Sequence, residues 1–167
     1  MTQRTVTEKD MYLQSFQREC DITLKLLKAF PAAHADFKPH EKSRTAKELA
    51  WTFTMEQGFT DAALKRQLDF SKPRPQPPAT LAETIAAFER ASRGTADLVS
   101  KTGEEELNAT VPFPIGPGRM ADLRGLDVLW SILMDQVHHR GQLSVYLRMV
   151  GARVPSIYGP TADEPWM

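Results

Sequence analysis

Asp135 and His139 lie four residues apart within an apolar run from Leu126 to Val150 that has helical spacing. Residues four apart on an α-helix project from one face. At about 100° per residue, Val128, Ile132, Leu143, Tyr146 and Val150 fall on the same side as the pair, whereas His138 points away. A carboxylate and an imidazole set into an apolar stripe have lost water, and each needs a partner or a metal. A hydrogen-bonded structural pair and a pair of metal ligands both meet that need, and spacing alone does not separate them. Glu56 raises the same question upstream. It falls in the middle of a stripe made by Leu49, Thr52, Phe53, Phe59, Ala63 and Leu64. An ionised carboxylate there requires a cation or a strong donor. The alternatives are a hydrogen bond to a neighbouring helix, or a rotation that leaves Glu56 exposed.

Four long amphipathic stretches could position these groups. Met11, Leu13, Phe16, Cys20, Leu24, Leu27 and Phe30 recur mostly at three- and four-residue steps, predicting a helix from about Thr5 to Phe30 that stops at Pro31. A polar connection follows to Ser43, with His34 and His40 as solvated loop residues. Ser43 or Thr45 can cap a second helix, Thr45 to Leu68, and Glu48 three residues after Thr45 gives the capping-box pattern. The proline-rich segment from Asp69 to Ala79 cannot continue a helix and reads as a stiff surface connector. Thr80 and Glu83 repeat the capping box ahead of a third helix with Leu81, Ile85, Phe88, Ala91 and Leu98 on its stripe. Residues 102–124 form the longest irregular segment, in which Leu107 to Phe113 suits a short extended piece and Ile115 to Gly118 a turn. The fourth long helix begins at Asp122 or Arg124 and ends at Gly151, with a tail from Val154 to Met167 packing back on it.

Composition narrows the function classes. The 167 residues suit one domain with one core. Lys plus Arg and Asp plus Glu are balanced at 21 each, so neither nucleic acid nor an anionic membrane is an expected partner. The glycine and proline pattern near residue 116 lacks the Lys-Ser/Thr ending of a phosphate-cradling loop. No window approaches the roughly 20 apolar residues of a membrane span, and the start of the chain, with Arg4, Glu8, Lys9 and Asp10, lacks the apolar centre of a signal peptide. Cys20 allows no intramolecular disulfide and reads as core filler. A soluble, cytoplasmic protein is expected.

The string His138-His139-Arg140-Gly141-Gln142-Leu143, continued by Tyr146-Leu147-Arg148, Val154-Pro155-Ser156-Ile157-Tyr158-Gly159-Pro160 and Ala162-Asp163-Glu164, resembles the last helix and tail of the DinB/YfiT-like superfamily. The similarity runs from about Ser43 to the end of the chain. It implies an all-α four-helix bundle in up-down-down-up order, frequent homodimers, and one divalent metal held by three histidines, one on the second helix and two spaced four apart on the fourth. Carried over by position, the second-helix motif is Glu48-Leu49-Ala50-Trp51-Thr52, with Thr52 in place of the first histidine, and the fourth-helix pair is Asp135 and His139. Only His139 remains of the three. Glu56, one turn from Thr52, could complete a two-carboxylate, one-histidine set with Asp135 and His139. Its harder oxygen ligands tilt preference toward iron or manganese, with zinc or nickel still able to occupy it.

Two functions follow from this reading. The first is a metal-dependent enzyme, a hydrolase or a thiol-dependent transferase, whose open coordination positions hold water or a thiol of a small-molecule substrate. The second is a bundle whose site has decayed, kept as a dimeric binding or stress-response protein. Among neighbours of the set, Gln142, Tyr146 and Arg140 are candidates to support the ligands or touch substrate, although His138 and Arg140 also suit a role in the structure or an interface and Arg140 could neutralise Asp163 or Glu164 of the tail.

Overall fold

A computed structural model describes residues 5–167; Arg4 lies outside them. Its long helices are α1 (Glu8–Ala29), α2 (Ala46–Leu64), α3 (Leu81–Lys101) and α5 (Gly125–Met149). A short helix, α4 (Glu104–Asn108), and an antiparallel hairpin of β1 (Thr110–Gly116) and β2 (Arg119–Arg124) lie between α3 and α5. Three threonines start three of the long helices. Thr7, Thr45 and Thr80 each accept from the backbone of the third helical residue, and Asp10, Glu48 and Glu83 reach back to the cap N–H.

Contacts between helix ends fix the order of the bundle. Lys9, at the start of α1, donates to the carbonyls of Ser100 and Thr102 at the end of α3, so these two helices are antiparallel. Thr95 of α3 donates to Asp61 late in α2, and Lys47 at the start of α2 donates to Ala79 just before α3, so α2 and α3 run parallel. Arg124, just before α5, pairs with Glu8 at the start of α1. The order is therefore up, down, down, up. The four stripes meet in a core that includes Phe16, Leu27, Phe53, Phe88, Leu129 and Leu147.

Several boundaries differ from expectation. Helix α2 stops at Leu64 rather than Leu68, because Arg66 takes a left-handed φ of 53° and the N–H groups of Arg66 and Gln67 close back onto Ala63 and Ala62. That is a Schellman closure made without glycine, so the usual sign was missing. In α1 the buried stripe carries Tyr12 where Met11 was expected; Met11 is exposed. The 102–124 segment is more ordered than its pattern suggested. Gly151 does follow the last turn of α5 with φ 72°, as a C-cap glycine does. Among the described residues, no helix is long and apolar enough to cross a membrane.

Candidate metal centre

Helix α2 carries Glu56 to the seam with α5, where it is 3% exposed. Its Oε1 lies 2.7 Å from His139 Nδ1, so either the ring N–H donates to the carboxylate or a protonated Glu56 donates to the bare nitrogen. Asp135 Oδ2 lies 3.7 Å from the same ring nitrogen. One donor atom from each of Glu56, Asp135 and His139 can be chosen so that all lie within 4.8 Å of one another. The three residues singled out from sequence are thus brought together.

Asp135 differs from expectation in one respect: its side chain is 57% exposed. The buried arc of α5 is centred on Gln136 and Arg140, each 1% exposed, and these polar residues were not counted as inward-facing. Once they are, Asp135 falls at the edge of the arc and His139 just inside it.

The electrostatics of Glu56 are unusual. Burial pushes its carboxyl up to about 7, opposed by the hydrogen bond and charge of His139, reinforced by Asp135 and eased by Arg44. Its Oε2 is buried with no hydrogen-bond partner. A buried carboxylate with one orphaned oxygen, grouped with an imidazole and a second carboxylate, fits a divalent cation, which would satisfy that oxygen directly.

Neighbouring side chains hold the two helices in register. Gln57 Nε2 donates to Gln136 Oε1 at 2.8 Å, and Gln136 Nε2 donates to Thr23 Oγ1 at 3.1 Å on α1. Each glutamine adjoins a site residue in sequence, so this bond fixes which faces of α2 and α5 meet. Thr52, at the position where the family has a histidine, is buried with its hydroxyl committed. It donates to the Glu48 carbonyl and accepts from Arg44 Nη1 at 2.6 Å. Tyr146 supports this arrangement indirectly, its hydroxyl donating to the Arg44 carbonyl at 3.2 Å.

Two expected supports lie elsewhere. Gln142 is exposed, with its Nε2 2.8 Å from His138 Nε2. Arg140 is buried and pairs with Glu19 of α1 at 2.6 Å and with the Tyr158 hydroxyl, while Asp163 and Glu164 pair with Arg148 and Lys25. Burial selected the nearest carboxylate inside the bundle over those at its surface. Arg44, Gln57 and Gln136 escaped the sequence reading; the only sign of the glutamines was a polar residue beside each acidic one.

The DinB family model matches residues 1–166. The chain belongs to the DinB family. Among its relatives, the uncharacterized protein YrdA of Bacillus subtilis is 28% identical over 158 residues, spanning 93% of this chain and 90% of YrdA. A DinB-like protein from Bacillus cereus has a similar structure, with a TM-score of 0.74 at 20% identity over 88% of this chain and 95% of that one. YfiT from Bacillus subtilis, described as a probable metal-dependent hydrolase with an unusual four-helix bundle topology, matches with a TM-score of 0.63 at 11% identity, covering 90% of this chain and 93% of YfiT. These likenesses establish the DinB-like bundle.

Proposed function

We propose that this DinB family chain is a metal-dependent enzyme, a hydrolase or a thiol-dependent transferase, with Glu56, Asp135 and His139 holding one divalent ion. The observation that carries the reading is the buried, unpartnered Oε2 of Glu56, on a carboxylate grouped with the Asp135 and His139 donors. A hydrogen-bonded structural pair leaves that oxygen unsatisfied; a cation does not. YfiT's description as a probable metal-dependent hydrolase points the same way.

When bound, such an ion supplies Lewis-acid activation of a water or a thiol. The chain's own residues prepare for it. Glu56 Oε1 orients the His139 ring, and Asp135, with its side chain 57% exposed, is the member of the set that solvent reaches. One turn along both helices, Ile132 is buried in an apolar cluster with Ala63, Val111 and Val128 against which Phe59 packs, keeping that side apolar. Two carboxylates and one imidazole favour iron or manganese over zinc or nickel.

The test is metal content per chain, measured on protein purified without a nickel column and after supplementation. One equivalent is expected, with affinity weakened by more than about a hundredfold in Glu56→Ala and His139→Ala, since even supporting residues around a metal are worth 10- to 100-fold. A folded wild-type chain that stays metal-free would sink the enzyme reading and leave the decayed, binding-protein alternative.

A further inference from the structure

Two hollows run along the side of α2 next to the metal-centre face, beneath the proline-rich connector. The larger, about 540 Å³, is walled mainly by Trp51, Met55, Gly58, Phe59, Leu68 and Phe70. Its size lies within the roughly 300–1,000 Å³ of small-molecule sites. The smaller, about 280 Å³, contains Lys42, Arg44 and Arg74, with Thr52 in its wall. Trp51, Met55, Arg74 and Pro75 line both, so the two make one continuous cleft with an apolar arm and a cationic arm. None of Glu56, Asp135 and His139 lines either hollow. The cationic arm reaches Thr52, one turn or about 6 Å along the axis from Glu56.

We propose that this cleft binds an amphiphilic anion, with an apolar body in the larger hollow and an oxyanion head between Lys42, Arg44 and Arg74. The proposal rests on the metal-centre reading only in taking that molecule as the substrate. Among the described residues, no carboxylate lies within ion-pair distance of these three cations. Glu48, the acid in the smaller hollow, is committed to the Thr45 cap, where its Oε2 accepts from the backbone at 2.7 Å.

Arg44 is held ready for a ligand. Its side chain donates one N–H to Thr52 and its carbonyl accepts from Tyr146, leaving the remaining guanidinium donors uncommitted. Its bond to Thr52, one helical turn from Glu56, sets the head-group end of the cleft next to the metal centre. Trp51 Nε1 donates to the Pro75 carbonyl at 2.8 Å, so the connector that roofs the cleft is pinned to α2. An apolar wall that stayed empty would hold poorly satisfied water, and three unpaired cations beside it would repel one another. An amphiphilic anion relieves both conditions.

Calorimetric titration of the EDTA-treated, metal-free protein with octanoate, octyl phosphate, octanol and succinate tests this separately from metal binding. Octanoate or octyl phosphate should bind at least about tenfold more tightly than octanol, the worth of a charge-assisted contact, and more tightly than succinate. The Lys42→Gln/Arg74→Gln variant should lose that preference for the anion while still binding octanol. Gly58 lines the apolar arm and has nothing within 4 Å of where a Cβ would sit, so the Gly58→Leu side chain starts into open space there and should remove binding of all the eight-carbon ligands. Equal affinity for octanoate and octanol, equal affinity for octanoate and succinate, or no binding at millimolar concentration would overturn the proposal. Those outcomes leave the metal stoichiometry unaffected, so the two readings fail independently.

Discussion

Glu56 holds its proton more tightly in the folded chain than in the unfolded one, because burial penalises its anion more than His139 rewards it. The sign follows from linkage. A carboxyl raised from 4.5 to about 7 contributes stability that is fully present below the unfolded value and is lost as pH rises through about 7. In metal-free protein the contribution amounts to roughly 3 kcal/mol at most. Thermal unfolding of the metal-free chain between pH 5 and 8 should therefore show a decline that is absent from Glu56→Gln, whose amide does not titrate. Parallel curves for the two proteins would show that the Glu56 carboxyl does not carry the burial penalty assigned to it. Excess metal should flatten the wild-type decline, since a cation holds the ionised form. Glu56 was legible in sequence as a charge in the middle of an apolar stripe, and His139 by its spacing from Asp135. The exposure of Asp135 was not legible. The inward face of α5 is built around Gln136 and Arg140, and hydrophobic periodicity has no way to count a glutamine or an arginine as buried.

At the scale of elements, punctuation residues carried most of the legible information. Thr45 and Thr80 announced their helices through the glutamates three residues on, and both capping boxes form. Helix α4 had no comparable sign, being only five residues long and opened by Gly103 without a side-chain cap. Its packing instead leaves a mark at Gly125, the first residue of α5. A Cβ there would meet the Leu107 carbonyl oxygen at 2.9 Å and that of Ala109 at 3.3 Å, and Gly125 N–H donates to the Ala109 carbonyl at 2.9 Å. Backbone atoms cannot swing aside as a side chain does. Gly125→Ala should therefore lose about 1 to 3 kcal/mol through overpacking, more than the gain in helix propensity of up to about 1 kcal/mol. Gly94 provides the contrast: it is exposed in the middle of α3 with nothing near its absent Cβ, so Gly94→Ala should gain about 0.5 to 1 kcal/mol. Urea midpoints at unchanged slope check both signs. A stabilising Gly125→Ala would mean that the end of α4 does not press on the start of α5.

For the whole molecule, the four long helices followed from periodicity, whereas the up-down-down-up order came from the family resemblance. Four amphipathic stripes can close a core in several orders, and the long-range contacts that choose among them join residues far apart in sequence. One such contact ties the C-terminal tail to the bundle. Arg140 donates to the Glu19 carboxylate at 2.6 Å and to the Tyr158 hydroxyl, which itself donates to Glu19, while the Tyr158 ring lies 5.0 Å from the guanidinium carbon. Arg140→Ala strands the Glu19 carboxylate in a site where it is 8% exposed and should cost about 3 to 5 kcal/mol. Replacing both members, Glu19→Leu with Arg140→Met, removes the two charges together and should recover most of that loss. Tyr158→Phe separates the hydroxyl from the ring. It should lose about 1 to 2 kcal/mol, because a hydrogen bond to a charged group disappears while the ring stays over the guanidinium. Because Arg140 serves the tail rather than the metal centre, none of these variants should change metal stoichiometry at a temperature where the chain is folded. Metal loss in Arg140→Ala without unfolding would return Arg140 to the site from which its partners now remove it.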